Sequence, residues 1–283
     1  MKKQAFNYFN KKFSVNQYTK VYKKIDFRKG YPANYQRLKI FLNLLKKHKP
    51  KNIIDAGCGA GMPLIKIKKK GFNIRGYDKA KNMIERAHLN LKKNNLNQNL
   101  VFEDDFENPI KIKKNSVDCI LGMGAFYYSK NFKKTMLNQK KFLKKNGRII
   151  FSLRNKLFDV ATLNNYTKKF LYEIYETKNL KNQLKSKFQN LIKNFPNTKS
   201  KIKNIDQNNV FSLTHNPLTI KMELDEIGLK CDNIYFYHFH CLPPMLENID
   251  PVYFRKKSWN MENPLDWRGF LIASGFVVDC VKS

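Results

Sequence analysis

The chain has 283 residues, of which 42% are hydrophobic, 13% aromatic and 27% charged, a composition that excludes a disordered polyelectrolyte and allows a sizeable core. Its formal charge of +33 is regional: residues 1–50 carry +13, 51–150 carry +14, 151–230 carry +7 and 231–283 carry −1. Lys outnumbers Arg by 47 to 8, which points to compositional bias more than to a nucleic-acid surface, because phosphate forks and base edges favour Arg.

In chain order, Met1–Phe13 has lysines but no following apolar run, so no secretory signal is expected and the cytoplasm is the expected location. Leu38, Phe41, Leu42 and Leu45 then fall at i, i+3, i+4 and i+7, the spacing of a helix face. Strands are expected over 52–56, 73–77, 100–103, 117–121 and 148–153, with helices over 63–70, 80–93 and 132–143 between them. Strands alternating with helices require crossover connections and predict an α/β domain with a mostly parallel sheet covered on both faces. The rhythm breaks over 155–216, which reads as a lysine-rich amphipathic helical insertion with Phe170, Leu171, Ile174 and Tyr175 on one face. It resumes with a helix at 219–227, Gly228 as its C-cap, a strand at 231–240, an excursion from Cys241 to Arg268 and a last strand at 270–280. The apolar run Phe270–Val278 is interrupted by Ser274 and Gly275 and is well short of the ~20 residues of a membrane helix. Cysteines 58, 119, 231, 241 and 280 form no C-x-x-C pair, so neither a disulfide framework nor a metal site is expected.

The segment richest in chemistry is Ile53-Ile54-Asp55-Ala56-Gly57-Cys58-Gly59-Ala60-Gly61, a buried-type strand entering a glycine turn where a backbone passes close to a ligand. The third glycine comes one place too early for a dinucleotide fingerprint, and the Gly-Lys-Ser/Thr of a phosphate loop is absent. Asp55–Gly61 instead resembles the D-x-G-C-G-x-G motif of class I S-adenosylmethionine-dependent methyltransferases. The likeness continues at Gly76-Tyr77-Asp78, Phe102–Phe106, Ser116–Leu121 and Leu143–Ile150. It implies a Rossmann-like fold with a mostly parallel seven-stranded sheet, helices on both faces and the helical insertion after the fifth strand. By the same likeness, residues 49–154 and 217–283 form the core, 1–48 a helical lead-in and cap, and 155–216 a lid over the substrate.

The resemblance implies S-adenosyl-L-methionine as cofactor, S-adenosyl-L-homocysteine as product and no metal. Its implied cofactor residues are Asp55, Gly57, Cys58, Gly59 and Gly61 in the loop and Asp78 with Lys79 at the ribose. Asp105 with Phe106 is expected at the adenine, with Asp104 as the rival acid, and Leu121 and Gly122 end the fourth strand beside it. Residue by residue, Asp78 also suits a helix N-cap, Glu103–Asp105 a solvated strand end, and Cys58 a small turn filler.

A sulfonium donor is already electrophilic, so the enzyme mainly aligns the acceptor and excludes water. A hydroxyl acceptor would use a base, and His215, His238 and His240 are the candidates; in a regular strand the last two share a face. Tyr127 and Tyr128 could turn ring faces to the sulfonium. The N/D-P-P-Y/F and Pro-Cys signatures of base methylation are absent. Tyr31–Arg37, Ser152–Asn155 and Asp266–Gly269 are similar to segments of bacterial surface-polysaccharide methyltransferases. Hence the expected acceptor is a small polar molecule or a glycan hydroxyl, with RNA second and a non-catalytic cofactor-binding partner protein third. Arg28, Arg154 and Arg268 would suit an anionic acceptor.

Overall fold

The structure, a computed structural model, describes residues 5–11, 22, 25–175, 181–197 and 211–283. The first long helix is α1 (Ala33–His48), followed by β1 (Ile53–Ala56), α2 (Met62–Lys68), β2 (Ile74–Asp78), α3 (Lys81–Lys92), β3 (Val101–Glu103), β4 (Val117–Gly122), α4 (Phe132–Lys140) and β5 (Leu143–Arg154). Next come α5 (Asn165–Ile174), α6 (Asn182–Ile192), α7 (Ile220–Asp225), β6 (Leu229–Phe239), α8 (Pro251–Asn260) and β7 (Ala273–Lys282). Among the described residues the strands form one seven-stranded sheet in the order β3-β2-β1-β4-β5-β7-β6. β1 to β5 pair in parallel, while β7 runs antiparallel between β5 and β6. The mostly parallel α/β sheet expected from the alternation is therefore present.

Every residue of β1 is buried, as a central parallel strand covered on both sides requires. Strand alternation divides the core in two. Ile54, Ile120, Ile149 and Phe151 join one apolar cluster with Leu224, while Ile53, Leu121 and Ile150 join another with Phe41, Leu45 and Leu64. Truncating a fully buried ring such as Phe41 or Phe151 to Ala would cost about 3–5 kcal/mol. Because β1 lies between β2 and β4, the chain leaves it in opposite directions on its two sides. That reversal opens a crevice at the carboxyl ends of β1 and β4, where α/β sheets take ligands.

Several local expectations change. The buried face of α1 includes Arg37, Leu38, Phe41, Leu44 and Leu45, and Leu42 is only partly covered. Phe270–Ile272 are not strand: Gly269–Ile272 is a helical turn, and β7 starts at Ala273. The side-chain amide of Asn155 donates to the carbonyls of Gly269, Phe270 and Ala273 at 2.8–3.1 Å, capturing groups that a strand ladder would otherwise use. The apolar face expected in the insertion is not buried as a unit. Phe170 is covered, whereas Ile174 and Tyr175 are more than half exposed. Residues 176–180 and 198–210 of that insertion, and 18–21 and 23–24 of the N-terminal segment, lie outside the described residues. Among the described residues no helix is long and apolar enough to cross a membrane.

Candidate active site

A cleft of about 1440 Å³ opens at the carboxyl end of β1. Its floor is the glycine turn, in which Gly57, Gly59 and Gly61 have φ of +76°, +52° and +73°. Side chains rarely adopt this left-handed region, and a Cβ on Gly57 would also lie 2.6 Å from the Cβ of Ala125. The Gly57 and Cys58 amides donate to the Tyr77 carbonyl at 2.8 and 2.9 Å, tying the turn to the end of β2.

Asp78 lines the cleft and finishes this tie. One carboxylate oxygen accepts the Gly59 amide at 2.9 Å, and the other accepts Ala80 at 2.9 Å. Burial raises its pKa, and the Ala80 and Gly59 amides work against that rise. Helix α3 takes Ala80 as its N-cap with no side-chain cap bond, so Asp78 serves the glycine turn and is not a helix cap.

The two rival acids after β3 separate. Asp104 is buried and accepts the amides of Asp105, Ile110 and Lys111 at 2.9–3.2 Å. It closes its own loop and does not line the cleft. Asp105 does line it, together with Phe106 and Lys79, whose ammonium is 2.6 Å from an Asp105 oxygen. Leu121 is packed in the core, and Gly122 lies where a Cβ would strike the Phe126 ring at 2.5 Å. Neither lines the cleft, and Gly61 shapes the turn from behind against Ala87.

Asp55 is 1% exposed and does not line the cleft, and among the described residues neither of its carboxylate oxygens has a hydrogen-bond partner. Its pKa is pushed up to about 7, first by burial and then by the charge of Asp78, with Arg37 opposing. Arg37, from α1, reaches the cleft beside Gly124, donating to Asn34 Oδ1 at 2.9 Å and to the Tyr22 hydroxyl at 3.2 Å. Its Nε is buried with no partner among the described residues. Unpartnered buried polar atoms are rare, and each calls for a ligand or another specific explanation.

The three histidines divide as well. His215 packs on Phe132 with ring centroids 4.4 Å apart and lies away from the cleft; burial lowers its pKa to about 4. His240 sits in a smaller cavity of about 260 Å³ near Phe158 and Leu242, and burial likewise lowers it to about 4. Only His238 lines the large cleft. Burial and neighbouring His240 hold it well below its ordinary value, so it is a neutral imidazole at pH 7. Its Nδ1 is 2.7 Å from the Ser274 hydroxyl. The His238 and His240 rings lie side by side with centroids 4.5 Å apart, yet they do not line the same cavity, and His238 itself departs from strand geometry with φ of +63°. Of the arginines proposed for an anionic acceptor, Arg154 lines the cleft over the Tyr127 ring at 5.0 Å. Arg28 and Arg268 are paired with nearby Asp26 and Asp266.

A family model described as a methyltransferase domain matches residues 47–211, more than half the chain. The chain belongs to the S-adenosylmethionine-dependent methyltransferase family. The ubiquinone biosynthesis O-methyltransferase of Rickettsia typhi is 26% identical to this methyltransferase over 129 residues, 44% of this chain and 50% of the relative. The chain thus matches about half the length of that curated relative. Among solved structures, the magnesium protoporphyrin IX methyltransferase of Synechocystis PCC 6803 with bound SAH is similar at TM-score 0.58 and 14% identity, covering 98% of this chain and 97% of that one. A putative methyltransferase of Haloferax volcanii, solved with the Trm112 methyltransferase activator, is similar at TM-score 0.58 and 13% identity, with 99% and 98% covered. These two likenesses establish the shared fold.

Sequence reasoning missed two parts of this methyltransferase's cleft. Arg37 had a signal: it stands at i−4 from Phe41 and i−8 from Leu45, a charge on the apolar face of its helix. The pairing of Tyr31 with Glu262, described below, had none, because their hydroxyl–carboxylate contact spans 231 residues of sequence.

Proposed function

We propose that this methyltransferase methylates a hydroxyl oxygen of a small polar or sugar acceptor. S-adenosylmethionine supplies the methyl carbon, whose bond to sulfur breaks with the electron pair remaining on sulfur. The orphaned buried pair supports the placement of the cofactor's amino-acid end. Asp55 offers two unpartnered acceptor oxygens and Arg37 an unpartnered donor, and a zwitterion carries the complement of both. In this reading Gly57, Cys58 and Gly59 let the cofactor approach the backbone, with Gly61 shaping the turn. Asp78 accepts the ribose hydroxyls, and Phe106 packs on the adenine with Asp105 and Lys79 at its edge.

The observation that carries the acceptor reading is His238, the one candidate histidine lining the cleft, neutral and with its ring hydrogen-bonded through Nδ1 to Ser274. Its Nε2 takes the acceptor's hydroxyl proton as the oxygen attacks. Tyr31, Tyr127, Tyr128 and Phe158 line the same cleft and offer flat apolar faces on which a sugar or similarly flat polar molecule packs.

The test is incubation with labelled S-adenosylmethionine and fractionated cell extract. Label in a small-molecule or glycan fraction, as a base-stable ether, supports the reading, and His238→Gln should slow transfer by about 10²–10⁴-fold. Label in RNA, with polynucleotide binding that falls steeply with salt, would replace it with an RNA acceptor. Cofactor binding without label in any fraction would indicate a silent partner protein.

A further inference from the structure

The backbone of His238 is held in an uncommon state. At φ of +63° it occupies the left-handed region, which is strained for a residue bearing a side chain and persists only where its surroundings over-determine it. Groups from three other parts of the chain do so. Ser274 Oγ, on β7, is 2.7 Å from Nδ1. The Tyr31 ring stacks on the imidazole with centroids 4.5 Å apart and planes at 20°. The Glu262 carboxylate accepts the Phe239 amide at 3.0 Å and also the Tyr31 hydroxyl, and the His238 amide lies against the same carboxylate. Glu262 therefore grips His238 twice, through the backbone at the kink and through the ring that covers the imidazole.

The segment bearing Tyr31 is itself anchored. Arg255 on α8 donates to the carbonyls of Phe27 and Arg28 at 2.6 and 3.1 Å. Phe27 meets Trp259 edge-on, with centroids 5.8 Å apart. Glu262 is largely shielded, and burial raises its pKa to about 7. A carboxylate placed at that cost is explained by the three groups it holds together. The other titratable group against His238 is His240, with ring centroids 4.5 Å apart.

We propose that Glu262 and Tyr31 are positioning residues that fix the ring orientation and tautomer of His238, so that Nδ1–H donates to Ser274 and the Nε2 lone pair faces the acceptor's hydroxyl. This rests on reading His238 as the acceptor's base. Neither residue touches the reacting atoms. Glu262 acts through the imidazole, and Tyr31 does so with the ring that also lines the cleft.

The experiment is long-range ¹H–¹⁵N spectroscopy of the histidine rings in the full chain saturated with S-adenosylhomocysteine, with His238 assigned by loss of its signal in His238→Gln. The wild type should show one tautomer at pH 7, protonated on Nδ1. Tyr31→Leu and Glu262→Met leave an apolar side chain in place of the ring or the carboxylate, and each should convert His238 to a tautomer mixture that titrates closer to an ordinary imidazole. Tyr31→Phe, which retains the stacked ring, should restore the wild-type tautomer. Affinity for S-adenosylhomocysteine within about twofold of wild type in each variant identifies folded protein. Glu262→Gln replaces Glu262→Met if that criterion fails, with the same shift expected at smaller amplitude. A wild-type ring protonated on Nε2, or an unchanged His238 spectrum in either substituted position, overturns the proposal. The two readings fail separately: label transfer surviving in His238→Gln removes the base, whereas transfer lost there with unchanged spectra in the variants removes only the positioning pair.

Discussion

Asp78, at the end of β2, accepts the Gly59 amide at 2.9 Å, so the acid and the glycine turn form one hydrogen-bonded unit. The proposed ribose acceptor is thereby also a structural part of the cleft floor. Its two oxygens both accept backbone amides, and a carboxylate has further lone pairs for ribose hydroxyls.

Asp78→Ala should therefore weaken S-adenosylmethionine binding in two ways, by losing charge-assisted bonds and by loosening the turn. A loss of about 2–4 kcal/mol, or roughly 30- to 1000-fold in Kd, is expected by calorimetry. Gly59→Val should do likewise through strain at φ of +52°, since a Cβ there has open space and meets no clash. Unchanged affinity in both variants would remove the cofactor from this cleft.

In the proposed reading, Arg37 meets the amino-acid end of the cofactor and not its nucleoside. Arg37→Met should raise the Kd for S-adenosylmethionine at least tenfold, while leaving that of methylthioadenosine, which lacks the amino-acid group, within about twofold. Equal losses for both ligands would mean that Arg37 only supports the fold. Gly124→Ala should mimic the substitution, because its Cβ would lie 2.5 Å from an Arg37 guanidinium nitrogen at φ of +84°.

Asp55 makes stability depend on pH in an unusual direction. Its folded pKa, about 7, lies above its unfolded value of 3.8, so the folded chain binds the proton more tightly and stability falls as pH rises from about 4 to 7. Asp55→Asn removes that penalty. It should raise the Tm of the ligand-free protein by several degrees at pH 8, with the gain shrinking as pH drops toward 4, while weakening cofactor binding. A Tm difference independent of pH would show that Asp55 does not ionise within the fold.

The buried histidines act with the opposite sign. His215 and His240 have folded pKa values near 4 against 6.5 unfolded, so the unfolded chain takes up protons that the folded one refuses. Their contribution is complete above about pH 6.5 and is lost as pH falls toward 4, by up to about 3 kcal/mol each. Urea titrations between pH 4 and 7 should show this slope, and His240→Leu should flatten it by about one proton. A slope unchanged in that variant would place His240 in contact with solvent.

Much of the scaffold was legible because its signals are local. A β-rich run before a glycine turn, repeated strand–helix alternation and an acid after the second strand are set by φ preferences and hydrophobic period, which neighbouring residues determine. The start of the last strand was misread because a long-range contact decides it, through Asn155 capturing three carbonyls. The choice between Asp104 and Asp105 was likewise hidden, since adjacent acids have the same propensity and only the loop's amides distinguish them.

The amino-acid order by itself determined the α/β class, the methyltransferase family and the glycine turn, all of which depend on residues close in sequence. Tertiary structure alone decided which histidine faces the cleft, that Arg37 Nε and the Asp55 carboxylate have no partner among the described residues, and that Tyr31 and Glu262 close around His238. Those arrangements arise where distant segments meet in a water-poor space. There burial, and not local propensity, sets which charges remain unpaired and which protons are held.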